Sequence, residues 1–96
     1  MNNQVIYKYP LSLTEDQTIT LPDGYEILTV KLQNGKPCLW VKRDTNLTTP
    51  KVDVKIWMCG NGATIKETGL KYIGTLLLHN DELMLHFFQI PAGQGK

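Results

Sequence analysis

The stretch Glu26-Ile-Leu-Thr-Val-Lys-Leu-Gln-Asn-Gly-Lys-Pro-Cys-Leu-Trp-Val-Lys-Arg43 decides the fold. Leu28 to Gln33 alternate apolar and polar, meet Asn34-Gly35, and lead into a second run, Lys36 to Arg43, that carries Trp40 and Val41. Asn-Gly suits the two central positions of a type I′ turn, where both residues need positive φ, so the stretch reads as a β-hairpin. With that turn Gln33 faces Lys36, and the register follows. Leu28, Val30 and Leu32 then share an apolar face with Pro37, Leu39 and Val41. The opposite face carries Ile27, Thr29, Lys31 and Gln33 beside Lys36, Cys38, Trp40 and Lys42.

Outward from this hairpin the same period-two pattern recurs, and no segment holds helical spacing over three turns. The expected strands are 4–9, 17–21, 26–33, 36–43, 52–59, 72–79 and 82–90. Pro10, Pro22-Asp23-Gly24 and Asn80-Asp81 punctuate them, with a polar loop over 45–50 and a longer one over 60–70 in which Lys66 to Leu70 has room for one helical turn. The expectation is an all-β single domain over 1–96. It is a small sandwich or barrel of about seven mainly antiparallel strands in meander order, with a flexible tail over 91–96.

Ninety-six residues allow one core and no more. Ten Lys and Arg against nine Asp and Glu give a net charge of +1, which argues against a binder of long nucleic acid. The N-terminal residues lack the charged and apolar regions of a signal peptide, and no run is long enough to span a membrane, so a cytoplasmic setting is expected. The two cysteines form no CxxC pair. Cys38 and Cys59, if on one face of adjacent strands, have disulfide-compatible positions, against the expected reducing setting.

Function becomes arguable at the two tryptophans. In the fifth strand Val52, Val54, Ile56 and Met58 form the apolar side, leaving Asp53, Lys55, Trp57 and Cys59 opposite. Trp40 and Trp57 both fall on the side the aliphatic residues reject, among lysines. Aromatic rings flanked by ammonium groups suit a flat anionic ligand, whose bases stack and whose phosphates pair with the charges. The plainer reading is that the rings cover one another or the 60–70 loop. The last hairpin is apolar on both faces. Leu76, Leu78, Leu83, Leu85 and Phe87 take one side; Ile73, Thr75, Leu77 and His79 with Glu82, Met84, His86 and Phe88 take the other. A strand pair apolar on two faces needs two covers. The second is either another copy of the chain, making a homo-oligomer through the 72–90 hairpin, or the N-terminal strand with Ile6, Tyr7 and Tyr9.

No metal spacing, nucleophile–base pair or P-loop is present, so neither an enzyme nor a cofactor is expected. Gly60-Asn61-Gly62 is a turn whose amides could approach a phosphate.

Four segments carry a resemblance: IYKYPL (Ile6 to Leu11), LPDGYEILTVKLQNGKPCLW (Leu21 to Trp40), the Gly-Asn-Gly loop, and YIGTLLLHNDELMLHFF (Tyr72 to Phe88). Together they resemble a family of small proteins encoded by tailed bacteriophages. Through it the chain resembles the sponge proteins that antagonise cyclic-oligonucleotide immunity (CBASS). The resemblance implies an oligomer, in the infected bacterial cytosol, that binds a cyclic dinucleotide without cleaving it. Residues expected at the ligand, from the face argument alone, are Trp40 and Trp57 for stacking and Lys31, Lys42 and Lys55 for phosphates. Gly60, Asn61 and Gly62 would close over it, and Thr75 or His86 would add a polar contact. The alternative is a phage structural or adaptor module that docks the same aromatic face on another protein.

Overall fold

Asn34 (φ 53°) and Gly35 (φ 76°) adopt the left-handed conformations that a type I′ turn requires. They join β3 (Glu26–Gln33) to β4 (Lys36–Asp44). Pairing runs from Gln33 with Lys36 to Val30 with Leu39 in the register the turn dictates. It then slips at a bulge between Ile27 and Thr29. The extra residue reverses the alternation. Ile27, expected outside, lies opposite Val41 and packs on the core, whereas Leu28, expected inside, is 41% exposed.

A computed structural model describes residues 3–91. Besides the hairpin it contains β1 (Gln4–Pro10), β2 (Asp16–Pro22), β5 (Lys51–Gly60), β6 (Lys71–Leu78) and β7 (Leu83–Ile90). They form two antiparallel sheets, ordered β1-β4-β3 and β2-β5-β7-β6, so the chain is an all-β sandwich and not a closed barrel. The order is not a meander: only β3–β4 and β6–β7 are neighbours both in sequence and in a sheet. Turn residues mark where the chain bends, but do not say whether the next strand pairs back. Pro22 to Tyr25 closes a turn, with the Tyr25 N–H donating to the Pro22 carbonyl at 3.2 Å, yet carries the chain across to the other sheet. No helical turn forms over 66–70. Of the expected tail, 92–96 lies outside the described residues.

Both sheets feed one core. Val30, Leu39 and Val41 come from the three-stranded sheet; Leu21, Val54, Ile56, Leu76, Leu78, Leu85 and Phe87 come from the four-stranded sheet. Burying each such side chain contributes about 1.5–3 kcal/mol. The sheets draw together where β3 passes β6. There Gly74 lies so close that a Cβ built on it would be 2.8 Å from Val30 Cγ1.

The second hairpin repeats the logic of the first. Asn80 (φ 57°) and Asp81 (φ 68°) form the turn, with the Glu82 N–H donating to the His79 carbonyl at 3.2 Å. Pairing then runs from Leu78 with Leu83 to Gly74 with Phe87, and slips at Ile73. Ile73, expected on the outer face, packs on the core; Tyr72 takes the outer position and is 57% exposed. The N-terminal strand does not cover this hairpin, because β1 pairs with β4 in the other sheet.

Candidate functional site

Residues directly opposite in an antiparallel pair point the same way, so the registers build each outer face. On the three-stranded sheet, Lys8, Trp40 and Thr29 stand in one row across β1, β4 and β3. Ile6, Lys42 and Glu26 make the row on one side, Pro10, Cys38 and Lys31 the row on the other, and Gln33 with Lys36 lies beyond. Trp40 is half-buried, and Lys8, Lys31, Lys36 and Lys42 are exposed around it. Lys42 pairs with Glu26 at 3.1 Å in open solvent, a contact worth about 1 kcal/mol or less. The Lys8 ammonium donates to the Gln33 side-chain carbonyl. The Asp44 carboxylate at the edge of this face accepts from the Thr49 hydroxyl at 3.0 Å and from the Asn46 N–H at 3.1 Å. The face is thus an indole among four ammonium groups, with Glu26 and Asp44 as counter-charges.

The other tryptophan lies on the outer face of the other sheet. Asp16, Trp57, Phe88 and Tyr72 form one row across β2, β5, β7 and β6, and Cys59, His86 and Thr75 form the next. Trp57 is only 9% exposed. Phe88 lies 5.7 Å away between ring centroids, and Tyr72 meets Phe88 edge-on at 5.6 Å. A cleft of about 620 Å³ runs over Trp57 and Cys59 beneath Ala63, Thr64 and Lys66 of the 60–70 loop. Glu15, Asp16 and Glu67 line it against the single ammonium of Lys66. At 4 Å, two like charges near a protein surface repel by up to about 4 kcal/mol. The cleft therefore opposes a phosphodiester, whatever its ring offers for stacking.

A chain of hydrogen bonds crosses this second face. The Tyr72 hydroxyl meets Thr75 Oγ1, Thr75 Oγ1 meets His86 Nδ1 at 3.0 Å, and His86 Nε2 lies 2.7 Å from Asn61 Oδ1. Because Asn61 presents its carbonyl oxygen, His86 donates from Nε2. In the tautomer with its only proton on Nε2, the ring accepts at Nδ1 from Thr75, which accepts from Tyr72. Every polar group here has a neighbour, so the imidazole is held in place by its contacts. Cys59 stands opposite His86 across β5 and β7. Burial, and secondarily the Glu15 carboxylate, push its thiol above the ordinary value, which keeps the sulfur protonated and weakly nucleophilic.

The ten residues expected at one ligand divide between two faces. Lys31, Trp40 and Lys42 lie on the basic face; Lys55, Trp57, Gly60, Thr75 and His86 belong to the other sheet, with Asn61 and Gly62 in the turn that follows β5. The single site is corrected to two regions because β4 and β5 sit in different sheets. Within the second group, Asn61, Thr75 and His86 are linked to one another, and Trp57 and Gly60 line the acidic cleft. Lys55 lines a smaller adjoining cleft of about 320 Å³ with Thr18. Gly60 to Ala63 closes a turn, with the Ala63 N–H donating to the Gly60 carbonyl at 3.4 Å and Gly62 at φ 83°. Cys38 and Cys59 are both free and lie in different sheets, so the disulfide-compatible placement does not arise. Lys8 and Tyr72 were missing from the expected set. Lys8 enters through the β1–β4 pairing, and Tyr72 through the bulge at Ile73; neither event leaves a mark in the local sequence.

Among the described residues, no three His, Cys, Asp or Glu side chains gather as a metal site, and no helix is long and apolar enough to cross a membrane. A family model described as a domain of unknown function (DUF7352) matches residues 2–95. No curated protein and no solved structure matches the chain.

Proposed function

We propose that this chain, which belongs to the DUF7352 family, is a non-catalytic protein that binds a cyclic oligonucleotide, a cyclic dinucleotide foremost, and sequesters it uncleaved. One observation carries the reading: Trp40 lies half-open in a row between Lys8 and Thr29, with Lys31 and Lys42 in the rows on either side. A base stacked on the indole gains about 1–3 kcal/mol. Phosphates then meet Lys31 directly, Lys8 by releasing the Gln33 side chain, and Lys42 by exchanging its exposed partner Glu26. The resemblance to small tailed-phage proteins supports a messenger of host immunity as the ligand and the infected cytosol as the setting.

We place a second copy of the chain on the other sheet, away from the Trp40 face, so that the oligomer multiplies ligand sites and does not enclose a ligand at Trp40. Leu77 (43% exposed) and Met84 (37%) face each other on the outer side of the β6–β7 hairpin, with Tyr72 (57%) beyond the polar Thr75–His86 row and no strand among the described residues over them. A homo-oligomer through this hairpin buries these side chains.

The test is calorimetric titration with cyclic dinucleotides, followed by chromatography of the released ligand. The reading expects saturable binding, intact ligand on release, and loss of binding in Trp40→Ala. Binding that survives Trp40→Ala, or a cleaved product, contradicts it. A second reading, a structural or adaptor module, draws on the same half-open indole in a polar rim, the composition of an interface hot spot. Under it, no nucleotide raises the melting temperature.

A further inference from the structure

Nine of the ten basic residues are lysines, and the one arginine, Arg43, is placed unlike any of them. It follows Leu39 and Val41 on the core-facing side of β4, opposite Val5 of β1. Its guanidinium lies over the Tyr7 ring, with Cζ 5.2 Å from the centroid. Nη1 donates to the Tyr9 hydroxyl at 2.9 Å, and Nε donates to the Asp44 carbonyl at 3.0 Å. The group is thus fixed by a ring, a side chain and its own strand. No carboxylate among the described residues lies within ion-pair distance of it. The carboxylate next in sequence, Asp44, is bound by Thr49 and Asn46. Tyr7 points to the core side of its sheet yet is 50% exposed, so this end of the sheet is an open shelf.

An arginine held rigid and left without a counter-ion has its loss of side-chain freedom already met before any ligand arrives. Among the described residues no acceptor meets Nη2, so its hydrogens, with the second hydrogen on Nη1, form a fork that matches a planar or tetrahedral oxyanion. Beside the fork, the exposed Tyr7 ring offers a flat apolar surface. We infer that Arg43, Tyr7 and Tyr9 form an anion site, separate from the Trp40 face, for a phosphate or carboxylate carried on a flat apolar group.

One arginine gives one side-chain Nε–Hε resonance, which makes the test direct. Uniformly ¹⁵N-labelled protein is titrated at constant ionic strength with phenyl phosphate, benzoate and inorganic phosphate. The inference expects the Arg43 resonance to move saturably with phenyl phosphate or benzoate, the tighter of the two identifying the oxyanion. It expects weaker binding of inorganic phosphate. Arg43→Lys keeps the charge but loses the fork, and should weaken binding about ten-fold. Tyr7→Leu should weaken the aryl ligands and leave inorganic phosphate unchanged. A still Arg43 resonance, or equal affinity in Arg43→Lys, overturns the inference. So does a response confined to the Trp40 indole, an outcome that leaves the proposed nucleotide site standing.

Discussion

Gly74→Ala tests the packing that holds the two outer faces apart. The new Cβ would stand 2.8 Å from Val30 Cγ1, where carbon atoms settle at about 3.5–4.0 Å. Relief needs a shift of roughly 0.7 Å or more, by the same contact distances. Val30 is 2% exposed and β-branched, so it has neither space nor a free rotamer to give. Overpacking of this kind costs about 1–3 kcal/mol, while alanine recovers about 0.5–1 kcal/mol of the backbone entropy that glycine loses in a strand. The net expectation is a loss of about 1–2 kcal/mol, or a melting point lower by roughly 5–15 °C for a domain of this size. Val30→Ala alone removes two methyl groups, worth about 1.6 kcal/mol in transfer terms before any void is counted. In the double variant the methyl group added at position 74 enters that void, so the two losses should fall short of additivity by about 1 kcal/mol. Urea titrations of the four proteins measure the cycle. Additivity within about 0.5 kcal/mol, or a Gly74→Ala protein as stable as the parent, would show that β3 and β6 do not meet as described.

The remaining expectations concern the tryptophans, the first turn and the thiol. Trp57→Ala should cost about 3 kcal/mol, since the indole is nearly covered and packs on Phe88. Trp40→Ala should cost about 1 kcal/mol on its open face; chemical denaturation gives both, and equal losses would contradict the assignment of one ring to structure and the other to a ligand. Gly35→Ala should destabilise by about 1 kcal/mol through backbone conformation alone, because φ is 76° and no atom lies within 4 Å of the added Cβ; Gly35→Asn should cost about half as much, and an unaffected Gly35→Ala protein would refute the turn type. Iodoacetamide should modify Cys59 more slowly than a free cysteine at pH 8, and faster in Glu15→Gln, because burial and then that carboxylate hold the proton on sulfur. A rate equal to that of free cysteine would contradict this.

Local turn chemistry made most of the strands legible. Asn34-Gly35 set the β3–β4 register correctly from Gln33 to Val30, and the period-two pattern located all seven strands to within one residue at each end. The pattern failed where a strand carried one residue too many. At Leu28 and at Ile73 a bulge reversed the faces, and an inserted residue has no composition of its own. Sheet membership was illegible for a different reason. Which strand pairs with which depends on contacts far apart in sequence, so parity placed Trp40 and Trp57 outside the core but could not tell that β4 and β5 belong to different sheets. Arg43 escaped notice on the same ground: alone it is one more basic residue, and only the pairing of β1 with β4 brings Tyr7 and Tyr9 to it.

The most direct measurement follows the two indole Nε1–Hε resonances while a cyclic dinucleotide is added. Binding at the basic face moves the Trp40 resonance saturably and leaves that of Trp57, which lines an acidic cleft, in place. Movement of Trp57 alone, or of neither indole, contradicts a nucleotide site at Trp40.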